Sequence, residues 1–292
     1  MITKFSDYFN QKASICNFSS ESWIILSEIE KSIKEKIEAI GTPLKDWDIN
    51  IYRGILTGYN EAFIINGERK DELIAQDPKS AEIIRPILRG RDIKRYGYDF
   101  ADLWLINTHN GIKEKGIKPI NIDDYPAIKK HLDQYWSRLE KRADQGVTPY
   151  NLRNCAYMED FYKQKIVWKR VGSKIRFSFD ENHLFALDST CFATGKFMKF
   201  LVAFLNSSIG NYMLKDSPKT GTGDLLISVQ AISPLLIPKP KSETLKKIEK
   251  LIENIISLNK KDFFKEEEKI DNILNEIYNF TEEEINYIKD KL

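Results

Sequence analysis

The sequence predicts an α+β chain: a mixed-sheet domain with flanking helices and a C-terminal helical hairpin. Three observations predict it. Apolar residues recur at spacings of three and four over residues 22–40, 125–143 and much of 245–277, as on one face of a helix. The stretch KIRFSFD at 174–180 alternates instead, with Ile175, Phe177 and Phe179 on one side and Arg176 and Ser178 on the other. That two-residue period belongs to a strand. After Pro240 the texture becomes helical throughout. The chain therefore divides into an N-terminal helix and linker at 1–40, a mixed domain at 41–240 and a helical segment at 241–292.

The elements follow in order. Leu26, Ile29, Ile33, Ile37 and Ile40 make a helix over 22–40, and Gly41 with Pro43 stops it. Residues 48–65 read as strand, turn and strand: DINIYR, GILTGYN, then AFII. Gly and Asn in that turn tolerate positive φ. A short helix and a basic loop cover 69–95, and LWLIN at 103–107 is a strand. Ile128, Leu132, Tyr135 and Leu139 share one face of a helix over 125–143. Two strands, KIVWKR and KIRFSFD, precede a helix at 196–214, and SPLLIPKP closes the region with a strand and prolines. In the tail, Leu245, Ile248, Ile252 and Ile255 form one stripe, and Ile270, Ile273, Leu274 and Ile277 a second. Thr281 with Glu284 is a capping box that opens the last helix.

Composition narrows the function. Of 292 residues, 42% are hydrophobic, enough for a sizeable core. No apolar run is long enough to span a bilayer, and the N-terminal MITKFSDYFNQK lacks the apolar core of a signal peptide. Cys16, Cys155 and Cys191 are odd in number and far apart, which fits a reducing compartment. A cytoplasmic protein is expected. His109, His131 and His183 are equally scattered, so no metal site is expected. The net charge is only +2, but residues 261–292 hold ten acids against five bases. A basic body with an acidic tail suits a nucleic-acid binder.

Several catalytic classes lack their residues. Gly54-Ile-Leu-Thr-Gly58 is not a phosphate loop, which needs a wider glycine spacing and a Gly-Lys-Ser/Thr ending. Gly221-Thr-Gly223 lacks the third glycine of a dinucleotide fingerprint, and no G-x-S-x-G elbow or H-E-x-x-H occurs. The Asp/Asn-Pro-Pro-aromatic loop and the Pro-Cys nucleophile of DNA methyltransferases are missing. Glu266-Glu-Glu-Lys269 lies on a helix that reads as solvated surface, so no catalytic residue is expected.

Bases concentrate in three stretches. Arg85, Arg89, Arg91, Lys94 and Arg95 face one acid, Asp92, within 85–97. Residues 163–176 hold six bases and no acid, and KDSPKTGTG at 215–223 mixes lysines with hydroxyl residues. Arginine reads guanine O6 and N7, and lysine and threonine suit phosphates. Such stretches can line one groove, or be three solvated surfaces.

The order of several motifs decides between these. Gly54-Ile-Leu-Thr-Gly58-Tyr-Asn60-Glu-Ala-Phe63 comes first, then Pro86-Ile-Leu-Arg89-Gly90-Arg91-Asp92-Ile-Lys-Arg-Tyr96. Lys165-Ile-Val-Trp168, Leu187-Asp-Ser-Thr190, Leu205-Asn206-Ser207, Leu236-Ile-Pro238-Lys-Pro240 and the 270–285 tail follow. In that order the chain resembles the TaqI-like C-terminal specificity domain, the target-recognition region of type IIG restriction-modification enzymes, akin to type I specificity subunits. The resemblance runs from about residue 20 to the end. It implies recognition of double-stranded DNA on behalf of a methyltransferase or endonuclease module, in cis or in trans. S-adenosylmethionine and Mg²⁺ then belong to those modules, and this chain carries no cofactor. The contact candidates are Arg53, Thr57, Asn60, Arg89, Arg91, Lys94 and Arg95, then Lys169, Arg170, Ser173, Lys174 and Arg176, then Lys219, Thr220 and Thr222. The rival reading is a protein–protein adaptor with a basic face and an oligomerising helical tail. A degenerate enzyme fragment is a second rival, distinguished by S-adenosylmethionine binding.

Overall fold

The computed structural model describes residues 26–257 and 263–292. Its strands are β1 (Thr42–Pro43), β2 (Ile49–Arg53), β3 (Ile64–Asn66), β4 (Ile84–Leu88), β5 (Leu103–Ile106), β6 (Lys165–Lys169), β7 (Val171–Gly172), β8 (Phe177–Asp180), β9 (Phe185–Ala186), β10 (Thr190–Gly195), β11 (Leu225–Leu226) and β12 (Leu236–Ile237). The longer helices are α1 (Glu28–Ile40), α2 (Gly67–Gln76), α3 (Pro126–Asp133), α4 (Met198–Asn206), α5 (Ser208–Leu214), α6 (Ser242–Ser257), α7 (Phe264–Tyr278) and α8 (Glu282–Asp290). The first sheet runs β2-β10-β6-β8 and is antiparallel throughout. The second runs β3-β5-β4-β9 and is mixed, because β4 and β9 pair in parallel. Two short pairs, β1 with β12 and β7 with β11, complete the strands. The fold is α+β, as the sequence predicts.

Both faces of the first sheet are covered. Ile166, Trp168, Cys191 and Ala193 join one core with α1, α4 and the C-terminal helices. Val167 and Phe192, one residue out of phase, join a second core with the second sheet, α2 and α3. Double coverage removes the polar alternation that marks a strand. It hides β10, TCFATG, from sequence reading. It also corrects the half-buried strand expected at 174–180: only Phe177–Asp180 is strand, and all four residues are buried.

Other boundaries shift for physical reasons. The strand–turn–strand expected at 48–65 is not a hairpin, because β2 and β3 lie in different sheets. The Gly54 N–H donates to the Thr190 carbonyl at 3.0 Å and Ile55 N–H to Ala186 at 2.7 Å, so the chain keeps following β10 and β9. It then enters a helical turn at Asn60–Phe63 before β3. The helix expected over 125–143 breaks after Asp133 and resumes at Trp136–Leu139. The one at 196–214 breaks at Ser207, whose hydroxyl accepts from Gly210 N–H at 3.2 Å and caps α5. Strand β4 lies inside the expected basic loop, where Pro86 hid it.

The terminal helices pack on the first sheet. The helix expected from residue 22 is described from Glu28, with Ser27 and Glu30 closing its capping box; residues 22–25, like Cys16, lie outside the described part. Ser32 and Lys36 each donate to the Glu284 carboxylate at 2.6 Å, and Tyr287 donates to Glu30 at 2.6 Å. Ile248, Ile252 and Ile255 are all buried in the first core. At about 2 kcal/mol for each buried isoleucine, this stripe stabilises the chain's own fold. Its use inside the core leaves the oligomerising-tail reading without support.

Candidate nucleic-acid interface

Strand register gathers the basic stretches at one end of the first sheet. Arg53 ends β2 opposite Cys191, and Lys169 ends β6 opposite Thr190. Ser189, just before β10, accepts from the Gly90 N–H at 3.0 Å through its hydroxyl and from the Arg170 N–H at 3.0 Å through its carbonyl. The Arg89–Asp92 turn is thereby docked on the same end. A side chain on Gly90 would meet Lys169 Cγ at 2.9 Å, so the lysine stem lies across the glycine. Gly172 of β7 pairs with Leu225 of β11, which sets the 219–223 loop over Gly172–Lys174. From there a groove of about 1020 Å³ passes Ser173, Lys174, Arg176 and Lys219 toward Arg95 and α7.

The candidates differ in what holds them. Arg91, Lys169, Lys174 and Lys219 are exposed, and with the half-buried Arg176 they make no ion pair or side-chain hydrogen bond among the described residues. Ser173 is exposed beside them. Arg170 is half-buried with its Nε enclosed and unbonded. Arg53 pairs with Asp188 at 3.3 Å, and Lys94 with Asp99 at 3.1 Å, both partly in solvent. Thr220 and Thr222 join hydroxyls at 2.8 Å.

Three candidates turn inward. Thr57 is 1% exposed, and its hydroxyl donates to Asn60 Oδ1 at 2.6 Å, which closes the turn. Arg89 forks onto the buried Asp92 at 3.1 and 2.8 Å, and these bonds hold its guanidinium above its ordinary pKa. Arg95 donates to the Asn206 carbonyl at 2.6 Å and pairs with Glu267 of α7. Such groups shape the edge and leave Arg91 at its surface.

The six bases of 163–176 also divide. Lys163 pairs with Asp160 at 2.8 Å. Lys165, opposite Asp180 in the sheet, is fully buried with it at 2.6 Å. Burial pushes the Lys165 ammonium down, against the pull of Asp180. Composition counts Lys165 with the surface bases, because nothing local distinguishes it. Sequence reading also missed Arg142, which follows Lys141 in EKRADQG and is 7% exposed. Among the described residues no group of three or more His, Cys, Asp or Glu could hold a metal ion, and no helix is long and apolar enough to cross a membrane.

Most of this edge falls in a region that matches a known family model. Residues 85–226 match the model of the TaqI-like C-terminal specificity domain. The type II methyltransferase M.BstVI of Geobacillus stearothermophilus is 24% identical over 93% of this chain and 47% of its own length. The chain thus spans about half the length of the curated relative it matches. The type IIL restriction-modification enzyme MmeI, solved in complex with DNA, superposes with a TM-score of 0.63 at 13% identity, over 86% of this chain and 36% of that one. The type IIG restriction endonuclease BpuSI gives 0.46 at 15% identity, over 86% and 32%. The matched region holds the Arg89–Asp92 turn, three strands of the first sheet and the 219–223 loop, and it is similar to the TaqI-like C-terminal specificity domains.

Proposed function

We propose that this chain reads a specific sequence in double-stranded DNA for a restriction-modification system, directs a methyltransferase or nuclease module in cis or in trans, and performs no chemistry itself. The observation that carries this reading is the convergence of unpaired cations from separate stretches at one sheet end, largely within the family match. Lys169, Ser173, Lys174 and Lys219 hold phosphates and set register. Arg91 stands on a turn locked by Asp92 and Ser189, and it reads a base edge, where a good bidentate contact gives about 1–3 kcal/mol of discrimination. Residues 41–240 do the reading, 1–40 lead toward the catalytic module, and 241–292 brace the sheet. S-adenosylmethionine and Mg²⁺ serve that module.

The test is selection of bound duplexes from a randomised pool, followed by salt titration. A reader enriches one sequence and loses affinity steeply as salt rises. Arg91→Ala then relaxes the preference at one position, while Lys169→Ala weakens all duplexes evenly with a shallower salt slope. Enrichment of no duplex at any salt would defeat the proposal.

A further inference from the structure

The loop between Arg142 and Asn154 extends the basic edge. It is closed by a bridge between Gln145 and Leu152 and by the Gly146 N–H on the Asn151 carbonyl at 3.0 Å. Arg142 holds it from inside. The buried guanidinium donates to the carbonyls of Thr57, Asp144, Pro149 and Asn151 and lies 4.6 Å from the Phe63 ring centre. One side chain therefore ties the loop to the Gly54–Asn60 turn. The two approach so closely that a Cβ on Gly58 would lie 2.9 Å from Asp144 Cβ.

Several polar groups of the loop are bonded within the fold. Val147 N–H donates to Asn110 Oδ1 at 2.8 Å, Thr148 Oγ1 to Asn151 Oδ1 at 2.6 Å, and Asn151 Nδ2 to the Ile120 carbonyl at 2.8 Å. Gln145 and Val147 are among its exposed side chains. Gln145 is exposed and makes no side-chain hydrogen bond among the described residues, and Val147 is 67% exposed. A lone surface valine is ordinary. Here its own N–H is pinned and its loop caged, as suits side chains held ready for a partner.

The loop continues the row of cations. Arg153 is exposed and pairs with Asp144 at 3.0 Å. Nearby, the Tyr157 hydroxyl donates to the Arg53 carbonyl at 3.0 Å, and its ring stacks on Tyr52 at 4.3 Å. Burial pushes the Tyr157 phenol up to about 12, while Arg153 and Arg53 both pull it down.

We propose that residues 143–154 form a second DNA-contacting element, with Arg153 on a phosphate, Gln145 and Val147 against base edges, and Arg142 as the positioning residue. The proposal rests on the reading of the basic edge as a DNA face. Glutamine pairs with adenine N6 and N7, and an aliphatic group meets the thymine methyl, so the element reads an A·T pair.

The experiment uses the full chain and the duplex it selects, with Arg91→Ala for comparison. Arg153→Ala lowers affinity for all duplexes evenly and reduces the salt slope by about one. Gln145→Ala or Val147→Ser relaxes preference at one A·T position by about tenfold. Arg142→Lys keeps the charge but cannot bridge the carbonyls; it loses the same preference and keeps the salt slope, a split that general unfolding would not produce. Unchanged affinity, slope and preference in Arg153→Ala, Gln145→Ala and Val147→Ser, beside an impaired Arg91→Ala, overturn the loop assignment alone. If the unaltered chain selects no duplex, both readings fall.

Discussion

Replacing Lys165 with methionine deletes one ammonium from the sheet and keeps most of its stem. The ammonium bonds Asp180 Oδ2 at 2.6 Å and the carbonyls of Phe161 and Lys163 at 2.7 and 3.2 Å. Without it the buried Asp180 carboxylate keeps Tyr98 O–H at 3.1 Å and the N–H groups of Asn182 and Leu184 at 3.0 Å, but no countercharge in contact. Breaking a buried pair from one side costs about 3–5 kcal/mol. For a chain of this length that lowers Tm by about 2–4 °C for each kcal/mol. Asp180→Asn added to Lys165→Met removes the stranded charge, so the double variant loses at least about 1 kcal/mol less than the two single losses together. Urea unfolding followed by circular dichroism measures each term. Below its midpoint, Lys165→Met binds DNA as the parent does, because the residue is fully buried, whereas Lys169→Met binds more weakly. A Lys165→Met loss under about 1 kcal/mol, or simple additivity in the double variant, would refute the reasoning.

Three further outcomes follow from the same contacts. Hydrogen bonds from Tyr287 and Ser27 hold the Glu30 carboxyl down at about 2, from an ordinary 4.5. Because the folded value is depressed, its stabilising contribution is whole above pH 4.5 and is lost as pH falls toward 2. Glu30→Gln therefore flattens the loss of urea stability over that window. Gly58 has φ +71° against Asp144, so Gly58→Ala destabilises by about 1–2 kcal/mol in the same assay. Asp92→Ala removes the acceptor of three Arg89 bonds; a thermal melt registers about 1–3 kcal/mol lost, and duplex selection a weaker preference.

Sequence reading succeeded where one local cause sets the structure. The Thr281–Glu284 box and the helical stripes need only neighbours three and four residues apart. It failed where the cause is distant. Thr190–Gly195 is a central strand because both faces are covered, so no alternation marks it. GILTGYN looks like a hairpin turn, yet the carbonyls of Ala186 and Thr190 direct it between sheets. At the candidate edge, the basic stretches were legible as charge. Which charges remain free was not, because Asp180 and Glu267 come from positions that spacing does not connect to Lys165 and Arg95.

The first sheet is clamped between two cores, so only its ends and connecting loops are open to change. Residues 89–92, 143–154 and 215–224 all lie in such loops. A lineage can therefore rewrite these surfaces by substitution or insertion without repacking the interior. Divergence of recognition and conservation of architecture then become separate problems, and a graft of these loops alone should carry a preference from one such slab to another.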